Sequence, residues 1–288
     1  MQKIAIIGLG LLGSSLGLAL KDKNVLRLGW ARRKETRDEA LKRGVVDECP
    51  EDINDVISRA DISILCLPIP HIIEFGEKYA SSFRKGSVVT DIGSVKSAIT
   101  APLEKALSPH GVSFIGSHPM AGTEKSGIEA AFAELYNGAS VFITKTEKSD
   151  PAALEKVREF WKSLNMRIVE IGTAEHDDLV AHTSHLQHVA ALAITEAVLD
   201  CDPETLKLRY AGCAGGFKDT SRITSSSPQM WREIIEHNQP AVLESVKEFE
   251  KRWLNIIKII ENKDYDALYK EFAKGKKMRD TWVKFRGF

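Results

Sequence analysis

Cysteine is scarce in this sequence, and what there is forms no pattern. Cys49, Cys66, Cys201 and Cys213 are the four in 288 residues, and none belongs to a CxxC pair or a zinc-type spacing. A zinc ribbon and a dithiol redox motif are thereby excluded, and a reducing, cytoplasmic setting is the expectation. Cys66 lies in the apolar run ISILCLPI and reads as a small core residue. Long apolar runs are also missing: nothing approaches the ~20 residues that span a bilayer. The N-terminus opens on a strand-like run without the basic, apolar and cleavage regions of a secretion signal. Net charge is absent too, 40 basic residues standing against 40 acidic ones. A balanced chain offers a polyanion no field to follow, so nucleic acid is not an expected partner.

What is present is ordinary in bulk and structured in order. Hydrophobic residues make up 43% and charged residues 28% of the chain, a normal globular balance. Strand-like runs at 3–7, 25–30, 61–67 and 87–92 alternate with helix-like segments at 12–22, 34–44 and 52–59. VSFIGS, ASVFIT and RIVEI (167–171) are later strand candidates. Such alternation predicts an α/β, Rossmann-type doubly wound domain with a mostly parallel sheet. After Gly172 the pattern turns helical, over 174–200, 228–261 and 264–283, with breaks at the glycines of 212–216 and at Ser225–Ser227 before Pro228. We therefore expect a dinucleotide-binding domain over 1–172 and an all-α domain over 173–288. Leu192, Ile194, Val198, Val242, Val246, Phe249, Trp253 and Ile256 are spaced to bury helix against helix there, or to form a dimer.

IAIIGLGLLGSSLG carries GxGxxG directly after a strand and at the opening of a helix. Gly8 permits the tight turn, Gly10 lets the backbone approach a pyrophosphate, and Gly13 lets helix and strand pack closely. The helix N-terminus then faces the phosphates with free N–H groups. Gly8, Gly10, Leu11, Leu12 and Gly13 thus form the expected cofactor loop. A dinucleotide enzyme selective for NAD places a carboxylate at the end of the second strand, to hold the ribose 2′-OH. Here the segment reads LGWARRKET, and two guanidiniums suit a 2′-phosphate in charge and geometry. Arg32 and Arg33 therefore point to NADP. The alternative is that both are solvated and that NAD binds through Glu35 or backbone groups. Leu67 and Pro68, in LPIP after the next strand, are expected to floor the nicotinamide or ribose pocket. In DIGSVK, Ser94, Lys96 and Ser97 are candidates for polar contact, with helix capping the alternative role of the two serines.

His118 stands in IGSHPMAGTEKSG, after a strand and before a glycine turn. That places it at the carboxyl edge of the sheet, where a neutral imidazole can serve as base for an alcohol proton near pH 7. Four more histidines, His176, His182, His185 and His188, lie in EHDDLVAHTSHLQH. Their spacing invites a metal reading. No cysteine or HExxH pattern accompanies them and nicotinamide chemistry requires no metal, so none is expected. His185 and His188, one turn apart, are placed to line a cleft between the domains. Arg222, in GGFKDTSRIT, suits a carboxylate if it reaches that cleft.

In this order, GLGLLGSSLG, DIGSVK, GSHPMAGTEKSG, SHLQH and GGFKDTSRI…PQMW resemble the prephenate/arogenate dehydrogenase family of tyrosine biosynthesis, over nearly the whole chain. The resemblance implies a dimer with an N-terminal Rossmann domain and a C-terminal helical dimerisation domain. It implies oxidative decarboxylation of prephenate to 4-hydroxyphenylpyruvate, or of arogenate to tyrosine, with NADP (or NAD) taking the hydride. It assigns His118 to the ring hydroxyl and Ser97 to a hydrogen bond with both partners. It assigns Arg222 to the substrate carboxylate, His185, His188 and Trp231 to the cleft, and Glu124, with Thr123 beside it, to substrate binding. Many relatives read SHLPH where this chain has Gln187 in place of proline. Some arogenate-specific relatives lack the second histidine, so His188 points to prephenate. No chorismate mutase is expected in front, nor a regulatory domain behind. Two other readings share the layout: a β-hydroxyacid-type dehydrogenase, which would use a helix lysine, and a non-catalytic NADP-sensing module. Both leave the His118 segment unexplained.

Overall fold

Both faces of the first strand, β1 (Gln2–Ile7), are covered, which is why it reads as a continuous apolar run and not an alternating one. In the computed structural model, which describes residues 1–123 and 125–287, Ile4 and Ile6 face one layer and Ala5 and Ile7 the other. β1 is followed by α1 (Leu11–Ala19), β2 (Val25–Trp30), α2 (Lys34–Lys42), α3 (Asn54–Ile57), β3 (Ile62–Leu65), α4 (Ile69–Lys78), β4 (Val88–Asp91) and α5 (Ser97–Leu107). Then come β5 (Ser113–Pro119), β6 (Ser140–Lys145), α6 (Pro151–Ser163) and β7 (Arg167–Gly172). One core layer joins Leu16 of α1 and Leu20 at its C-cap to Phe160 and Trp161 of α6. The other joins Ile72 and Phe75 of α4 to Ile99 and Leu103 of α5.

The strands form one seven-stranded sheet in the order β2-β1-β3-β4-β5-β6-β7. The chain leaves β1 towards β2 on one side and returns to β3 on the other, so the crossovers diverge and open a crevice at the carboxyl end of β1. β1 to β5 run parallel. β5 then changes partner within its own length. Ser113–Ile115 pair with β4, and Gly116–Pro119 pair antiparallel with β6.

On the outer side of β2, the segment between α2 and α3 makes one isolated parallel bridge among the described residues, Leu28 to Glu48. Arg27 holds this outer segment in place. Buried on β2, it donates to the carbonyls of Gly17 (3.0 Å), Gly44 (2.8 Å) and Val45 (3.2 Å) and pairs with Asp47 at 2.5 Å.

After β7 every described element is helical: α7 (Thr173–Val180), a π-helical turn at Ala181–His185, α8 (Leu186–Leu199), α9 (Pro203–Gly212), α10 (Gly215–Ser221), α11 (Pro228–His237), α12 (Gln239–Glu261) and α13 (Tyr265–Arg286). The continuous helix expected over 174–200 is thus interrupted by the π turn. The one expected over 228–261 is broken at Asn238, whose amide turns into the protein instead of continuing the helix. Met1–Gln239 is one compact unit and Pro240–Phe288 another. Of the residues expected to bury helix against helix, Val242 is buried, Val198 and Val246 are half-buried, and Leu192, Ile194, Phe249, Trp253 and Ile256 are exposed. Phe249 and Trp253 stack on each other at 6.2 Å, yet Trp253 stays 54% exposed.

Arg27→Met should cost about 3 kcal/mol, because it strands buried carbonyls and the Asp47 carboxylate together. Urea unfolding would measure it. Asp47 is held below the usual carboxylate range chiefly by its hydrogen bonds from Arg27. Its share of the stability is therefore present above the ordinary Asp pKa and disappears as pH falls through the depressed one, so the mutational cost should shrink in acid.

Candidate active site

The glycine loop fits a dinucleotide for local reasons. Gly8 has φ +100°, and a Cβ there would lie 2.3 Å from the Cys66 carbonyl oxygen. A Cβ on Gly13 would meet the Gly8 oxygen at 2.0 Å, so α1 can approach β1 only without a side chain. Gly10 differs: it is the N-cap of α1 in an extended conformation, and a Cβ there meets nothing within 4 Å. The space beside Gly10, under the free N–H groups of α1, is what a pyrophosphate requires. Leu11 and Leu12 form the first turn of α1, and Leu12 is fixed by the Tyr136 hydroxyl, which donates to its carbonyl at 2.9 Å.

At the end of β2, Arg32 and Arg33 are exposed and make no ion pair among the described residues, whereas Lys34 is engaged with Asp38 at 2.5 Å. The loop that carries them is braced from below. Arg37 is buried and donates to the carbonyls of Ala31 (3.0 Å) and Arg32 (3.1 Å). Leu67 and Pro68 lie at the entry to α4, with Pro68 its N-cap. Neither Ser94 nor Ser97 caps α5: its N-cap is Lys96, and no side chain caps it.

The polar centre of the protein is a hydrogen-bond network at the ends of β4 and β5. The Asp177 carboxylate receives the backbone N–H groups of Lys96 (2.7 Å) and Ser97 (2.8 Å), and Nδ1 of His176 lies 2.8 Å from it. His176 Nε2 is 2.9 Å from His118 Nδ1. These partners settle the tautomers. A carboxylate only accepts, so His176 carries its proton on Nδ1 and presents a bare Nε2. His118 must then donate from Nδ1, and its own Nε2 is left as an acceptor. Burial is the main cause that holds His118 well below the ordinary histidine value, and the neighbouring His176, Lys96 and His185 add to it. His118 is therefore neutral at pH 7, with a lone pair on Nε2, as a general base requires. Burial pushes Asp177 upward, but its bonds from His176, Lys96 and Ser97 outweigh that and keep the carboxyl below its usual range.

The π turn sets the other face. Its Leu186 N–H reaches back to the Ala181 carbonyl, five positions away, which inserts one residue into the helix. At ~100° per residue, His188 would stand about 120° around a regular helix from His176; with the insertion the offset is about 20°. The same shift moves His185 from about 80° to about 20° off Asp177. Asn238 locks the result: its Nδ2 donates to the Asp177 carbonyl (2.8 Å) and lies 3.3 Å from His185 Nδ1. His185 is thereby the Nε2–H tautomer, and burial lowers it to about 4. His188 Nδ1 donates to the Ser184 carbonyl at 3.0 Å, and its ring stacks on Trp231 at 3.6 Å. The Trp231 Nε1 is buried and finds no partner among the described residues, a donor available to a bound polar group.

Arg222 opens the short turn Arg222–Ser225, which is tied to α8 through Thr224 and Thr195 (3.1 Å). It is exposed, and its charge reaches His188. His118, Ser97, His185, His188, Trp231 and Arg222 thus belong to connected elements. Thr123 is exposed, and its hydroxyl oxygen accepts the Lys125 N–H at 3.2 Å. Glu124 lies outside the described residues. Sequence reasoning passed over Asp177, Asp91, Arg37 and Asn238, and saw His176 only as one of a histidine group. The adjacent pair His176-Asp177 was the one local signal. Among the described residues no three His, Cys, Asp or Glu side chains converge as metal ligands would.

The prephenate dehydrogenase nucleotide-binding domain family matches residues 16–170, and the prephenate dehydrogenase dimerization domain family matches residues 172–274. The cyclohexadienyl dehydrogenase of Zymomonas mobilis is 32% identical over 96% of this chain and 95% of its own. Synechocystis arogenate dehydrogenase superposes with a TM-score of 0.85 at 33% identity, over 98% of this chain and 100% of that one. The prephenate dehydrogenase from A. aeolicus, solved with hydroxyphenyl propionate and NAD+, gives a TM-score of 0.89 at 30% identity over 98% of each chain.

Gly10→Ala should leave the melting temperature unchanged and weaken dinucleotide binding by about tenfold or more (~1.4 kcal/mol). Gly13→Ala should instead lower stability by about 2 kcal/mol, since its Cβ must displace backbone. Calorimetric melting and a binding titration separate the two; equal effects on both readouts would refute the division of labour. His185 binds a proton below about 4 in the folded state but near 6.5 when unfolded. Stability should therefore fall as pH drops from ~6.5 to ~4, by on the order of 2–3 kcal/mol from this residue, and His185→Asn should flatten that limb.

Proposed function

Because the chain belongs to the prephenate dehydrogenase family, we propose that it oxidises and decarboxylates prephenate to 4-hydroxyphenylpyruvate, with hydride passing to NADP. The observation that carries this reading is the relay Asp177–His176–His118, which leaves His118 Nε2 as a bare acceptor at the carboxyl edge of the sheet that also bears the glycine loop. NADP is favoured over NAD by Arg32 and Arg33, exposed at the end of β2 where a ribose-binding carboxylate would otherwise stand. A nicotinamide, when bound, supplies the hydride acceptor.

His118 accepts the proton of the ring hydroxyl at C4. The O–H electron pair becomes the second bond of a carbonyl while the C4–H pair departs as hydride. His176 and Asp177 support the cation that forms on His118: the Asp177 carboxylate faces it through His176 and needs no reorganisation when charge appears. The C–CO₂ bond then breaks and CO₂ leaves; the bonding pair enters the ring, the carbonyl pair moves onto oxygen, that oxygen takes back the proton held by His118, and aromaticity drives the step. Arg222 takes a substrate carboxylate by charge-assisted hydrogen bonds. His188, stacked on Trp231, offers Nε2 as an acceptor, and Trp231 Nε1 offers a donor. Ser97, beside the Asp177 carboxylate, stands at the base's end of the site.

A second reading, arogenate as substrate, is favoured by the likeness to the Synechocystis enzyme. We divide the function after Gly172, where the two family matches meet, and assign dimerisation to the helices that follow. The exposed Phe249, Trp253, Leu254 and Ile260 support a homodimer. No described helix is long and apolar enough to cross a membrane, and a cytoplasmic setting agrees with four free cysteines.

Nicotinamide absorbance, followed with prephenate and with arogenate and each with NADP and NAD, should show reduction fastest with prephenate and NADP. No reduction in any pairing would sink the reading. His118→Asn should cut kcat by about 10³-fold with cofactor affinity intact. The acid limb of wild-type kcat/KM should lie below the ordinary histidine range, because the base is active when neutral and its pKa is lowered. Arg32→Ala with Arg33→Ala should weaken NADP by ~100-fold and NAD by little; equal losses would remove the 2′-phosphate assignment.

A further inference from the structure

We propose that the buried pair Lys96–Asp91 is a positioning device for His118, standing in for the strand neighbour that β5 loses at its carboxyl end. The proposal rests on His118 being the base of the reaction above. β4 pairs with β5 only as far as Thr90 opposite Ile115. The chain then turns away at Ile92 and Gly93, while β5 continues for four residues to Pro119 beside β6 alone. The peptide groups of Ser117, directly before His118, would be left without partners in a dry place. The two side chains supply them: the Ser117 N–H donates to Asp91 Oδ1 at 3.1 Å, and Lys96 Nζ donates to the Ser117 carbonyl at 2.8 Å. Lys96 and Asp91 pair with each other, and the Gly93 N–H closes on Asp91 Oδ2 at 2.8 Å. Both side chains are 0% exposed.

A buried ion pair is a weak stabiliser compared with apolar side chains of the same volume. Its retention at this point is explained by what it holds. The loop from Asp91 to Ser97 grips His118 from two directions. Its side chains fix the peptide before His118. Its backbone, through the Lys96 and Ser97 N–H groups, fixes the Asp177 carboxylate, which orients His176 and through it the His118 ring. The charged and titratable groups facing His118 are Lys96 and Asp91 of this loop, His176 and Asp177 of α7, and His185 of the π turn. Lys96, His176 and His185 disfavour its protonated form. Lys96 therefore also keeps the base in its working state.

The test is an NMR titration of the His118 imidazole in the full-length protein, beside steady-state kinetics. Lys96→Met should raise the His118 midpoint and lower kcat by about tenfold or more, with cofactor affinity within ~2-fold. The double variant Asp91→Asn, Lys96→Gln replaces the ions with two amides that can still bond to Ser117 and to each other. It should recover part of kcat yet keep the raised midpoint. Should Lys96→Met fail to fold, the double variant decides. An unchanged midpoint with kcat within ~2-fold of wild type, in whichever variant is folded, would overturn the proposal and leave the pair a purely structural element. Because the ring titration needs no substrate, a wild-type protein that turns over neither prephenate nor arogenate would refute the proposed reaction without touching this result.

Discussion

The carboxylate of Asp177 is the constraint on which the site depends. It is buried, and a carboxylate out of water must be matched by donors. Two of these are backbone N–H groups at the start of α5, and the third is an imidazole. The first two tie the helical segment after β7 to the sheet edge. The third converts a structural requirement into a chemical one. Once Asp177 claims His176 Nδ1, the proton positions on His176 and His118 follow, and the outermost nitrogen of the relay is left bare. No titration at neutral pH is needed to reach this state. Satisfying one buried anion is enough.

The same economy governs the far wall. On an unbroken α-helix His188 could not share a face with His176, twelve residues before it, nor His185 with Asp177, eight residues before it. One inserted residue in the turn Ala181–His185 brings them into line. An i→i+5 turn is less favourable than α-helix, and such turns persist where something else fixes them. Here Asn238 bonds on both sides of the insertion, to the Asp177 carbonyl and to His185. The break between α11 and α12 is what frees that amide to reach inward. Two local departures from helical regularity thus support each other.

These relations also decide what could be read from the chain alone. Periodicity located the strands, because parallel strands are apolar throughout and Gly8, Gly10 and Gly13 stand in a context only the turn after β1 explains. The histidine segment was equally legible, since a glycine-rich stretch after a strand has few structural reasons to hold an imidazole. What stayed hidden was pairwise and distant. His118 and His176 are 58 positions apart, and Asn238 lies 61 from Asp177. Arg27 and Arg37 look like surface charges in sequence and are buried in the fold, because each donates to carbonyls at helix ends and loops beside β2. The helix register was invisible for a different reason: an inserted residue in a helix has no composition of its own.

The place where the sheet reverses direction is also the place where the chemistry collects, and the connection is causal. Had β5 continued beside β4 to its end, backbone would have satisfied Ser117, and the loop after β4 would have had no need of charge. β5 instead passes from a parallel partner to an antiparallel one between Ile115 and Gly116. That exchange leaves a gap one peptide deep, which only side chains can bridge. A carboxylate fits the N–H and an ammonium fits the C=O, so the gap selects an ion pair. The loop between the two ions must then curl tightly, and its amides emerge pointing at α7, where Asp177 receives them. A reversal in strand direction, a buried ion pair and an oriented base are in this protein successive consequences of one change of partner.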